Sequence, residues 1–147
     1  MRAYLVRHGD AKGQDVDPQG HLTDRGAQDV RRVATEAVAD LDVRPVSIFH
    51  SGKARSRQTA EIWGGLVGVE AKESDGLAPN DDPSAWAQRL VGEGDDVMIV
   101  GHLPHLERLV GLLVTGDADR PVVGFPAGGL VVVDRGDDGW LVAVTRA

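Results

Sequence analysis

The stretch Ala3-Tyr4-Leu5-Val6-Arg7-His8-Gly9 passes abruptly from uncharged, largely apolar residues to a guanidinium, an imidazole and a glycine. A run of this length ending in reactive polar groups reads as a buried β-strand that stops at a functional edge. The pattern recurs twice. Val46 to Phe49 runs into His50-Ser51-Gly52, and Val97-Met98-Ile99-Val100 runs into Gly101-His102. Between these runs the spacing changes to that of helices. Ala27, Val30, Ala34, Ala37, Val38 and Leu41 fall on one face, with Thr23 or Asp24 placed to cap the first turn. Arg44-Pro45 ends that pattern. Thr59, Ile62, Trp63, Leu66 and Val67 mark a second helix. Asp82-Pro83 opens a third, running to Val91, with a carboxylate cap followed by proline at the first helical position. Leu106, Leu109, Val110 and Leu113 follow Pro104 in a fourth. Val69 to Glu73 reads as a short strand. After a long connection from Gly116 to Gly129, Leu130–Val133 and Leu141–Val144 read as a hairpin joined through a turn-rich 134–139.

Strands alternating with helices give an α/β class. The expected architecture is a three-layer α/β/α sandwich with a mostly parallel sheet, helices on both faces and an antiparallel edge hairpin. No internal repeat or linker divides the 147 residues, so one domain over 1–147 is expected. Hydrophobic residues make up 41% and charged residues 27%, the balance of a globular chain rather than a disordered one. The formal charge of −7 argues against general nucleic-acid or membrane binding. Cysteine is absent, which removes disulfides, thiolate metal sites and cysteine nucleophiles. The apolar start is too short for a signal peptide, and no run approaches the ~20 apolar residues of a membrane helix. A cytoplasmic location is the expectation.

The chemistry collects at the strand ends. In open α/β sheets, ligands bind beyond the carboxyl ends of the strands, so parallel neighbours would bring Arg7, His8, Ser51, Arg55 and His102 to one edge. Histidines and paired arginines around a small cavity suit an anionic ligand of phosphate size. Arg57 lies two positions after Arg55 and would face away from it and from Thr59. His102 and His105 have i, i+3 spacing, but only Glu107 lies near them, a poor metal set. Other histidines have bland readings: His50 as a packed strand-end residue, His21 as a surface loop residue, His105 as a rim residue. Trp63 reads as core, and Trp86 as packed or at the site rim. Lys12, Lys53 and Arg57 either add a positive field at the mouth or are ordinary solvated charges.

Three motifs, in order, carry a resemblance. Arg7-His8-Gly9 after an N-terminal strand is similar to the signature of the histidine phosphatase superfamily, the phosphoglycerate-mutase-like fold. Ser51-Gly52-Lys53-Ala54-Arg55-Ser56-Arg57-Gln58-Thr59-Ala60-Glu61 resembles its second motif, and Gly101-His102-Leu103-Pro104 its third. Leu22-Thr23-x-x-Gly26 matches the family's helix entry. Leu77-Ala78-Pro79-Asn80-Asp81 resembles a segment of the short phosphohistidine phosphatase branch, the SixA type. The resemblance implies that His8 is the nucleophile, that Arg7 and Arg55 hold the phosphoryl oxygens, and that His102 completes the pocket. It implies no cofactor and no metal, and a phosphorylated protein as partner, such as a phosphotransfer domain of a signalling relay, or a small phosphoester.

Physical chemistry supports these roles. A neutral imidazole with an ordinary pKa near 6.5 is a ready nucleophile at neutral pH, and adjacent arginines disfavour its protonation. Protonated His102 would add a further donor. The glutamate that larger members use as a proton donor is absent; Asp10, Asp81, Asp82 or solvent are the alternatives, Asp82 being better suited to capping. A site without a dedicated acid suits an imidazole leaving group better than an alkoxide. Rival readings are a broad phosphomonoesterase on small molecules or phosphoserine and, in another class, a phosphate-binding module without chemistry.

Overall fold

Strands β1 (Arg2–Arg7), β2 (Ser47–His50), β3 (Ala71–Glu73), β4 (Val97–Gly101), β5 (Leu130–Gly136) and β6 (Gly139–Arg146) form one sheet in the computed structural model, which describes residues 1–147. Their order is β3-β2-β4-β1-β5-β6. β3, β2, β4 and β1 run parallel, whereas β5 pairs antiparallel with both β1 and β6. Helices α1 (Asp24–Leu41), α2 (Ala54–Val67), α3 (Ser84–Gly92) and α4 (His105–Thr115) complete the fold. This is the expected α/β/α arrangement with its antiparallel edge.

The alternation of side chains along a strand divides the interior into two cores. Ala3, Leu5, Val97, Ile99, Val131 and Val133 face α3 and α4, where Trp86, Leu90, Leu106 and Leu109 meet them. Tyr4, Val6, Met98, Val100, Leu130 and Val132 face α1 and α2, against Val30, Ala34, Ala37 and Trp63. The central strands are therefore buried on both faces, the reason their sequences are continuous apolar runs. Trp63 is core, as read from sequence. Trp86 packs beneath Phe49, with its indole N–H donating to the Asp75 carbonyl at 3.0 Å, so it is a packing residue and not a rim residue.

The element boundaries follow from their ends. Thr23 caps α1, its hydroxyl accepting from the Gly26 amide at 2.9 Å. Asp82 accepts from the Ser84 amide at 2.9 Å, which is the cap expected for α3. β3 starts at Ala71 rather than Val69. Gly68 turns left-handed at the end of α2, and the amides of both Gly68 and Val69 remain bonded to Gly64 O, so Val69 still belongs to the helix exit. The hairpin is longer than its apolar residues suggest, and its turn shrinks to Asp137-Asp138. Asp134 stays in β5 by binding Arg2 through two hydrogen bonds. Arg135 stays by donating to the Leu90 and Val91 carbonyls at the end of α3. No helix is long and apolar enough to cross a membrane.

Candidate active site

The order β2-β4-β1 puts three strand ends side by side. β1 delivers Arg7 and then His8, β2 delivers His50 and then Ser51, and β4 delivers Gly101 and then His102. Backbone bonds fix the first of these ends. The His8 amide donates to Gly101 O and the His8 carbonyl accepts from the Gly128 amide, both at 3.0 Å. The long 116–129 connection thus returns to brace the end of β1.

His8 is half-buried, and its Nδ1 donates to its neighbour's carbonyl, Gly9 O, at 2.7 Å. That bond assigns the proton to Nδ1 and leaves the Nε2 lone pair free. Burial is the main reason its pKa lies below the ordinary imidazole value, and the charges of Arg55 and Arg7 lower it further. The ring is therefore neutral at pH 7. Gly9 is also fixed, its amide donating to Thr59 Oγ1 at 3.1 Å while that hydroxyl donates to Arg55 O at 2.8 Å. One threonine so ties the loop after β1 to the first turn of α2.

Arg7 Nη1 donates to Phe125 O at 2.8 Å, and its Nε is buried without a partner. A cavity of about 370 Å³ opens in front of His8, bounded by Arg7, Asp10, Lys12, Gln14, Gly20 and Arg55 among others. Gly20, beside Arg55 Nη1, has φ +63°, a left-handed turn that glycine makes without strain. Arg57 is exposed and lies 3.6 Å from Glu61 on the outer face of α2. Arg55, not Arg57, reaches the cavity, as the spacing indicates.

His102 lies behind His8, with ring centroids 5.0 Å apart. Its Nε2 is 2.6 Å from Ser51 Oγ, and its Nδ1 is buried without a partner. Burial first, then repulsion from His8 whenever that ring is protonated and from the Arg55 guanidinium, push its pKa down to about 3. The protonated His102 expected from sequence is therefore absent in the protein alone, because its surroundings are already cationic and dry.

The remaining sequence expectations divide. His50 is the packed residue expected, its Nδ1 accepting from the Gly52 amide at 3.0 Å. His21 closes the cavity loop from the outside by donating to Asp17 Oδ2 at 2.7 Å. His105 is not on the rim: it is 0% exposed, and neither ring nitrogen has a partner. As the first residue of α4 it turns into the interior, toward the α3 side. Of the carboxylates weighed as proton donors, only Asp10 lines the cavity, and its Oδ2 accepts from Thr23 Oγ1 at 3.1 Å. Asp81 accepts from the Ala78 amide and Asp82 caps α3. Lys12 lines the cavity, while Lys53 stands close enough to depress His102. Two contributors escape sequence reasoning. Phe125 acts through its carbonyl, which no motif can signal. Ser51 is visible inside the second motif but carries no assigned role until the imidazole it meets is located.

Residues 3–80 match the histidine phosphatase superfamily (branch 1). No curated protein matches the chain. Among solved structures, the protein histidine phosphatase SixA complexed with tungstate is 26% identical, with a TM-score of 0.85 over 100% of this chain and 97% of its own. A candidate phosphohistidine phosphatase SixA from Agrobacterium tumefaciens is 30% identical, with a TM-score of 0.79 over 99% of this chain and 97% of its own. A phosphoserine phosphatase from Entamoeba histolytica, in complex with 3-phosphoglyceric acid, shares the fold at 16% identity, with a TM-score of 0.71 over 99% and 96% of the two chains.

Proposed function

Because this chain belongs to the histidine phosphatase superfamily, branch 1, we propose that it takes the phosphoryl group of a protein phosphohistidine onto His8 and then hydrolyses it. One observation carries the reading: the free Nε2 of a neutral His8 opens on a cavity shared by two guanidinium groups. In the first step Nε2 attacks phosphorus in line, the bond from phosphorus to the substrate nitrogen breaks, and the substrate imidazole leaves with a proton from solvent. In the second step water attacks phospho-His8, releases orthophosphate and restores the ring. Arg7 and Arg55 hold the equatorial oxygens throughout and stabilise their charge in the transition state.

The substrate class rests on the leaving group and the openness of the site. Asp10, which lines the cavity, has its Oδ2 engaged by the Thr23 hydroxyl, so that oxygen is taken up by the α1 cap. An imidazole can leave without a positioned acid, whereas a serine or sugar alkoxide leaves poorly without one. The two SixA structures are matched along nearly their whole length, so this chain adds no insertion that would roof the cavity. An open mouth suits a phosphorylated side chain on a protein surface.

A substrate panel tests the reading. Wild type and His8→Ala are offered a phosphohistidine protein, a phosphoserine peptide and a sugar phosphate. Expected are preferential turnover of phosphohistidine, acid-labile phosphate on the wild-type enzyme, and neither with His8→Ala. Comparable turnover of the sugar phosphate would point instead to a broad phosphomonoesterase. Phosphate binding without a labelled intermediate would leave only a binding module.

A further inference from the structure

An open sheet ends in two strands whose outer N–H and C=O groups have no partner, and proteins ordinarily blunt such edges by keeping them short or charged. The two edges of this sheet are unlike. β3 is three residues long and carries Lys72 and Glu73, so it offers little to pair with. β6, at the opposite edge, is eight residues long. It has no proline, and no charge before its last residue, Arg146. Its one irregularity is a bulge at Ala143, opposite Val132 and Val133 of β5. The bulge adds twist but covers none of the outer backbone groups. Leu141 on this strand is 55% exposed. On the side of α3 and α4, a groove of about 320 Å³ runs beside the strand, lined by Val91, Leu112, Leu113 and Trp140 among others. Val91 at its lip is 61% exposed.

The charges at the two ends of this edge indicate what covers it. Asp137 and Asp138 form the turn that leads into β6, and Arg146 ends the strand. None of the three is in an ion pair, and Arg146 donates only to the neighbouring Thr145 carbonyl. We propose that the occupant is a second copy of this chain, with β6 pairing antiparallel to β6 of the copy about a two-fold axis. Antiparallel pairing along the whole strand sets Arg146 of each copy against the 137–138 turn of the other, twice by symmetry. Parallel pairing would instead set Arg146 against Arg146, a repulsive cross-strand pair. Because each chain carries a charge of −7, two copies repel at long range, and the crossed contacts place opposite charges where the copies touch. Pairing at the edge keeps each face of the sheet continuous, so the two grooves beside Trp140 fall on the same side and adjoin the partner. A stable interface buries at least about 1,200 Å² in total, and the grooves supply apolar surface that the strand backbones alone lack. β6 runs in the same direction as β1. The copies are therefore antiparallel, and their His8 cavities open on opposite edges of the joined sheet, clear of the interface. The inference is independent of the proposed function.

Analytical ultracentrifugation of the purified chain over a dilution series tests it. Wild type is expected at twice the 15.6 kDa chain mass, dissociating on dilution. Leu141→Lys places a charge on the edge and should give monomer, with circular dichroism showing that the variant is folded. Arg146→Asp alone, and Asp137→Arg with Asp138→Arg, should each raise the dimer dissociation constant by about tenfold or more. All three changes together should recover most of that loss, a rescue that misfolding cannot produce. A wild type that stays monomeric at every concentration would overturn the proposal. So would a dimer indifferent to Leu141→Lys and to the charge reversals, or growth into species larger than a dimer, which a two-fold interface cannot make.

Discussion

Arg7 and Arg55 reach the same cavity by different routes, and the difference bears on how each would fail. Arg7 is the last residue of β1 and is anchored by Phe125 O. Arg55 comes from the first turn of α2 and passes close to Gly20. Replacing either with alanine should cost about 2–4 kcal/mol of transition-state stabilisation, the scale for a lost oxyanion donor. The check is kcat/KM with the phosphohistidine substrate, and near-normal rates in both variants would remove the clamp. These two residues and His8 are legible from sequence because each sits inside a motif at the end of an apolar run. His105 is not legible. Nothing in Gly101-His102-Leu103-Pro104-His105 tells which way the first side chain of α4 turns, and only the packing of α4 decides it.

At the scale of elements, the loop after β1 and the start of α1 fit with almost no space between them. A β-carbon at Gly26 would overlap the carbonyl oxygen of Asp10 and lie 3.0 Å from its nitrogen and carbonyl carbon. Glycine-to-alanine changes inside helices ordinarily gain up to about 1 kcal/mol from propensity. Here the overlap is with backbone, which cannot rotate away, so the steric cost exceeds that gain. Gly26→Ala should therefore lower the melting temperature and also the turnover, because Asp10 and Gly9 would be pushed from the end of β1. A higher melting temperature would mean that the close approach is relieved cheaply. Helix α1 itself is easily read from sequence, since its cap and its three-to-four spacing agree. β3 and the hairpin are read less well, because hydrogen bonds of the Gly68 turn shorten the one and long-range partners of Asp134 and Arg135 lengthen the other.

For the molecule as a whole, four imidazoles share a tendency that appears only on titration. His8, His50, His102 and His105 all have pKa values lowered chiefly by burial. In the unfolded chain each takes up a proton near its ordinary value of about 6.5. The unfolded state then binds more protons than the folded one, so stability is lost as pH falls from about 6.5 toward the folded values, about 3 for His102. Each ring that stays neutral steepens this slope by at most about 1.4 kcal/mol per pH unit. Urea midpoints should accordingly fall between pH 6.5 and pH 4.5. His105→Leu, which removes two unpartnered nitrogens, should raise the midpoint at pH 5 and flatten the decline. An unaltered or steeper decline would show that His105 does not contribute. Turnover should follow a different course, because the proposed attack requires neutral His8: its acid limb lies below pH 6.5, on the side given by the direction of its shift.

The insertion of β4 between β2 and β1 has a consequence for how the enzyme can come into being. The proposed nucleophile and the first guanidinium are supplied by residues 8 and 7, yet the strand that separates them from Ser51 begins at Val97, and the amide bracing His8 belongs to Gly128. A nascent chain that has emerged only through α2 holds most of the signature residues but lacks the spacer that sets their separation. Catalytic competence is thus postponed until the last third of the polypeptide has docked.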